Sequence, residues 1–172
     1  MNKALTCFVI FTSFKISILV LVLSNFISIG QASNTTSTIT LSAYVNELIS
    51  ISITPAGNYS NLNINENQID ALVATVFESS NSSNGYLVKA RSGNGGKIQN
   101  TLGSDNIPYY VRYAGGGAVR LSDVDQTVRE QRVGGVYSAN SKNVTISYQG
   151  VEATKLKSGT YNDIITFTIE SK

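Results

Sequence analysis

Histidine and tryptophan are absent from this 172-residue chain, and cysteine occurs once. Without His there is no Ser-His-Asp or Cys-His nucleophile system and no imidazole metal ligand, and one Cys cannot build a structural zinc site. Charge is scarce as well. Only 14% of residues are charged, 13 Lys and Arg against 11 Asp and Glu. The resulting +2 is too small to argue for nucleic acid or an anionic membrane as partner. These absences remove most enzyme chemistry, so no catalytic residue, cofactor or metal is expected. The length suits one domain with an appendage.

The start of the chain reads as a targeting signal. Lys3 and Lys15 precede the largely apolar run Ile16 to Leu23, and Gly30-Gln31-Ala32 ends it with small residues where a signal peptidase reads. The run is far shorter than the roughly 20 residues of a membrane span. Residues 1–32 are therefore expected to be removed. Cys7 leaves with them, and so do Lys3 and Lys15, which makes the mature chain formally neutral and free of cysteine. An exported domain without disulfides depends on its core or on neighbouring chains.

From Ser33 onward, apolar residues recur at spacing two, with Gly, Asn, Ser and Asp between the runs. The alternation predicts strands over Ala71–Phe77, Gly85–Ala90, Ile107–Tyr113, Lys142–Tyr148 and Thr160–Ile169. Ser122–Arg132 reads as loop. Short strands separated by turn formers imply an all-β, Ig-like antiparallel sandwich.

Motifs for chemistry are weak. Gly93-Asn94-Gly95-Gly96-Lys97 is followed by Ile98 where a phosphate loop needs Ser or Thr, so a hairpin turn is expected there. Asp123 and Asp125 could pair around calcium, but two acids in a polar loop are ordinarily just solvated. Triplets beginning at Asn34, Asn58, Asn81 and Asn143 fit the N-glycosylation pattern, as chance allows in an Asn- and Ser-rich chain. Tyr109, Tyr110 and Tyr113 could form a sugar-binding platform, although sheet packing explains them more simply.

The N-terminal part of the mature chain carries more information. Ile39, Leu41, Ala43, Val45, Glu47, Ile49, Ile51 and Ile53 occupy alternate positions, and all but Glu47 are apolar. One strand from Ile39 to Ile53 would span about 50 Å at roughly 3.3 Å per residue. Typical strands are nearer 17–20 Å. The break at Asn46-Glu47 therefore predicts two strands with separate burial sites. Either the chain switches between sheets of its own domain, or residues 33–46 leave to complete another one.

These features together resemble the subunits of chaperone–usher fimbriae. Thr38-Ile39-Thr40-Leu41-Ser42-Ala43-Tyr44-Val45 followed by a new strand is similar to the colonization-factor type, which also lacks cysteine. Gly159-Thr160-Tyr161-Asn162-Asp163 and Ile107-Pro108-Tyr109 resemble spore coat protein U-like domains, a group that includes the archaic pilins; the missing cysteine pair departs from that branch. The resemblance implies an incomplete Ig-like domain over residues 47–172, with residues 33–46 as a donated strand. Ile39, Leu41, Ala43 and Val45 match the donated face; Tyr161, Ile165, Phe167 and Ile169 match the strand bordering the groove. The sequence stops three residues after Ile169 and is expected to leave no room for a further strand. The implied partners are copies of itself or related pilins, a periplasmic chaperone, an outer-membrane usher and a host or surface receptor. The implied location is a cell-surface fimbrium reached through the periplasm, serving adhesion or biofilm formation. Two alternatives stay open: a self-contained secreted protein of coat protein U type, and a carbohydrate-binding adhesin module.

The signal reading is directly checkable. Intact-mass analysis of exported protein should give a chain starting at or close to Ser33, and an exported form that keeps Met1 would refute it.

Overall fold

Strands dominate because alternating residues give each extended segment one face to bury. The structure, a computed structural model, describes residues 35–57 and 59–172. The expected signal segment and the acceptor positions Asn34 and Asn58 lie outside the described residues. The chain divides between Ser42 and Ala43 into two units. In the first, residues 35–42 carry no regular secondary structure. The fold belongs to the second.

In chain order its strands are β1 (Ile49–Pro55), β2 (Gln68–Ser80), β3 (Tyr86–Ser92), β4 (Lys97–Asn100), β5 (Asn106–Tyr113), β6 (Ala118–Val119), β7 (Gln126–Gln131), β8 (Tyr137–Tyr148), β9 (Tyr161–Asn162) and β10 (Ile165–Ser171). A 3-10 turn, Ala153–Lys155, precedes β9. One antiparallel sheet has the order β1-β2-β8-β5-β4-β9, with β6 also on β5; the second has the order β10-β3-β7. Their inner faces share one core, an Ig-like sandwich. Alternation is plain in β5, where Ile107, Tyr109, Val111 and Tyr113 are buried while Tyr110 points out. Tyr86, Val88 and Ala90 of β3 and Val144, Ile146 and Tyr148 of β8 meet them.

Three expectations are corrected. Ser122–Arg132 is not all loop, because Gln126–Gln131 forms β7 on the edge of the smaller sheet, paired with β3. Val128 is its only aliphatic residue, so it shows no apolar stripe. The expected strand Thr160–Ile169 is two strands in different sheets, β9 against β4 and β10 against β3. The Gly93–Gly96 segment is a corner between sheets and not a hairpin, since β3 and β4 do not pair. Ser92 Oγ makes that corner by accepting the N–H groups of Asn94 (3.2 Å) and Gly96 (2.6 Å). Gly96 has φ +71, and a Cβ there would lie 2.7 Å from the Leu121 carbonyl oxygen. Both facts require glycine.

A carboxylate sits inside this core. Glu78 of β2 is fully buried and accepts hydrogen bonds from the hydroxyls of Tyr86 (2.7 Å) and Tyr113 (2.6 Å). Arg129 Nε lies 3.4 Å from the same carboxylate, an ion-pair contact without hydrogen-bond geometry. The group ties β2 and β5 of one sheet to β3 and β7 of the other, and each buried polar atom it satisfies would otherwise cost about 1–3 kcal/mol.

Burial, reinforced by the neighbouring carboxylates, pushes the hydroxyls of Tyr86, Tyr109 and Tyr113 far above the ordinary 10.0. Above that pH the unfolded chain gives up tyrosine protons that the folded chain keeps. Stability from these groups is therefore fully present below about pH 10 and falls as pH rises beyond it. Alkaline titration should show these three tyrosines ionising only as the fold is lost, together with a falling midpoint of urea unfolding.

Candidate functional site

Two unpaired strand edges face each other on this sandwich. β10 pairs with β3 from Ile165↔Ser92 to Ser171↔Tyr86, and among the described residues no strand covers its other edge. Among the described residues β1 pairs only with β2, from Ile49↔Ser80 to Pro55↔Ala74. Some Cα atoms of β1 and β10 come within 8 Å of each other. The connection from Ser80 to Tyr86 is short, so β1 begins and β10 ends at the same pole. The two edges therefore run in opposite directions along a seam.

The seam opens into a cleft of about 630 Å³ toward the other pole. Ile53, Val73, Val144, Ile146, Ile165 and Phe167 line it, with Tyr59 and Leu62 from the β1–β2 connection. Its apolar lining is incompletely covered. Ile165, Phe167 and Ile169 pack against the core yet remain half-exposed, while Val88 and Ala90 on the paired neighbour are fully buried. Ile53 is 43% exposed. The physical reason is the missing neighbour: an edge strand has nothing beside it to shield its inward side chains. Alternate residues of β10 also turn N–H and C=O groups toward the seam, where a further strand would pair.

A second carboxylate closes one end of the cleft. Asp163, between β9 and β10, accepts the hydroxyls of Ser92 (2.5 Å) and Tyr109 (2.6 Å) on Oδ2, and the Asn94 N–H (2.9 Å) on Oδ1. The N–H of Ile164 also donates to Oδ1, at 2.7 Å. This bonding ties the sheet-to-sheet corner to the point where the chain crosses from β9 to β10.

The residues singled out from sequence separate into two groups. Ile165, Phe167 and Ile169 lie on β10, and the first two line the cleft. Tyr161 also lines it, but from β9 in the other sheet, because Asp163 interrupts the strand expected to carry all four. Ile39, Leu41, Ala43 and Val45 lie in residues 35–48, which form no strand and are exposed throughout, with Ile39 84% and Leu41 86% accessible. The second half of the long alternating run is β1; the first half is in neither sheet.

The tyrosine platform is absent as a surface. Tyr109 and Tyr113 are buried and only Tyr110 is exposed, so the three cannot share a face. Asp125 lies 3.9 Å from Arg91, and no group of three or more His, Cys, Asp or Glu gathers among the described residues. Sequence reasoning missed Glu78, although it lies in phase with Val76 on an inward register. Asp163 is legible in the sequence only as the last residue of Gly159-Thr160-Tyr161-Asn162-Asp163.

No protein-family model matches the chain, and no curated protein matches it. Among solved structures, the chain is similar to the CooA pilin subunit from enterotoxigenic Escherichia coli, with 17% identity and a TM-score of 0.40, over 70% of this chain and 86% of that one.

Asp163→Ala removes the acceptor of two hydroxyls and two backbone N–H groups. It should lower unfolding free energy in urea by about 2–4 kcal/mol, and Asp163→Asn should lose less.

Proposed function

We propose that this protein is a structural subunit of a surface fimbria in which residues 39–45 of one copy fill the cleft of the next. The observation that carries this reading is the pairing of an uncovered apolar seam with an exposed alternating segment that its own domain does not use. Lengths agree. Residues 39–45 would extend about 23 Å at roughly 3.3 Å per residue, and β10 is also seven residues long. Inserted beside β10, the segment gains main-chain hydrogen bonds along one edge and directs Ile39, Leu41, Ala43 and Val45 to the cleft.

Magnitudes favour a durable joint. Ile39, Leu41 and Val45 each contribute up to about 1.5–3 kcal/mol on full burial, Ala43 less, and each new hydrogen bond about 1 kcal/mol. The segment leaves its domain at the pole where β1 begins, and the cleft opens toward the opposite pole. Such a contact is heterologous and does not close, so it builds a fibre. A subunit with this seam uncovered is prone to aggregate, which fits export in the care of a periplasmic chaperone and assembly at an outer-membrane usher. The role is mechanical and needs neither turnover nor a cofactor.

Deleting residues 33–46 should leave a domain that aggregates or needs a chaperone. Joining the same residues after Lys172 through a short flexible linker should restore a soluble monomer that unfolds cooperatively. Leu41→Asp should block polymerisation while leaving the cleft able to accept an added peptide of residues 33–46. A deletion variant as stable as the full mature chain would refute the reading.

A further inference from the structure

Asn81 lies where β2 leaves its sheet to cross to the other. In the β1–β2 register, Ile49 faces Ser80, so Leu48 faces Asn81. An antiparallel pair of this kind normally exchanges two backbone hydrogen bonds. One is present, from the Asn81 N–H to the Leu48 carbonyl at 3.0 Å. In place of the other, the Leu48 N–H donates to the side-chain Oδ1 of the same Asn81, at 2.6 Å. Its Nδ2 donates onward to the Asn46 carbonyl, at 2.9 Å. The side-chain amide thus continues the ladder after the backbone of β2 has turned away.

That geometry fixes the shape of residues 46–48. One planar amide meets the C=O of Asn46 and the N–H of Leu48 only if both point to the same side, as they do in an extended chain. The consequence concerns the nearest competitor for the cleft, which is the chain's own segment. β1 starts at the pole where β10 ends, so residues 39–45 could reach their own seam by folding back as a hairpin with β1. Residues 46–48 would then be the three-residue loop of that hairpin, and a loop of that length must turn sharply.

We infer that Asn81 is a positioning residue that holds the root of the N-terminal segment extended, so that the segment is presented to a second copy of this chain and does not close on its own cleft. The inference rests on the strand-donation reading for its purpose, while the held root can be measured by itself.

The test uses the full mature protein as wild type, Asn81→Ala, Asn81→Asp and Glu47→Gly. Oligomers are sized by light scattering. Spin labels at S42C and T168C, in labelled chains diluted into unlabelled ones, report the distance within one chain; the only native cysteine, Cys7, is in the segment expected to be removed. Wild type should give head-to-tail oligomers and a long intrachain distance. Asn81→Ala should raise the ratio of closed monomer to oligomer roughly thirtyfold, the worth of two ordinary hydrogen bonds, and shorten the distance. Asn81→Asp keeps the acceptor for Leu48 but cannot donate to Asn46, so it should fall between. Should Asn81→Ala fail to fold, Glu47→Gly decides, because residue 47 is exposed and lies in no strand, so the change loosens the root without removing a sheet contact. A short distance in wild type, or variants that match wild type in both readouts, would overturn the inference. A long distance without oligomers would refute strand donation and leave the held root standing.

Discussion

The free edge of β10 is the constraint on which the other features turn. A sheet edge exposes a row of hydrogen-bonding groups, and here the row lies beside an apolar cleft that its own side chains only half cover. Proteins usually blunt such an edge with charge, proline or a bulge. On β10 the residues through Ile169 are Ile, Thr, Phe, Thr and Ile, followed only at the end by Glu170. An edge that is long, regular and uncharged over most of its length is suited to accept a strand.

A seam of this kind weakens the sandwich along one side, and the two carboxylates answer that weakness from within. Glu78 bridges both sheets through Tyr86 and Tyr113, with Arg129 beside it from the far edge strand β7. Asp163 joins the β3–β4 corner to the root of β10. Neither lies on the free edges themselves. Glu78 joins the two sheets away from the cleft lining, and Asp163 joins them at the cleft itself. Such groups stabilise only as complete sets, since removing one partner strands the others without water. Hydrogen-bonded networks here take on the cross-linking that a disulfide provides in many exported domains.

What was legible in the sequence follows the same physics. β2, β3, β5 and β8 have two unlike faces, and alternation revealed them, although turn chemistry did not reveal that Gly93–Gly96 moves the chain between sheets. β7 was illegible because the charge of Arg129 is paired with Glu78, a residue on another strand and in another part of the chain. The split between β9 and β10 was illegible for a similar reason: Asp163 has no visible pull until Ser92 and Tyr109 are beside it. The cleft was legible indirectly, as an alternating run too long for one small sandwich. Asn81 was not, because its role depends on where β2 departs from β1, and its sequence context suggested only a glycosylation triplet.

The same departure bears on how a chain that carried both donor and acceptor, as proposed, would avoid satisfying itself. A segment tethered by a short flexible root sees its own cleft at an effective concentration on the order of millimolar. A neighbour present at micromolar levels competes at a disadvantage of about a thousandfold, or roughly 4 kcal/mol. Equal contacts in both places would therefore give closed monomers. Polymerisation needs the closed form to be disfavoured by geometry, and the effective concentration falls toward zero when the tether cannot span the sites. Two hydrogen bonds from one side-chain amide do not offset the whole difference. Their leverage is that they act on the three residues that have to bend, so closing costs the clamp as well as the sharp turn. Under strand donation the subunit would stay open through the shape of its root, and the joint between subunits would draw on the full length of the donated strand.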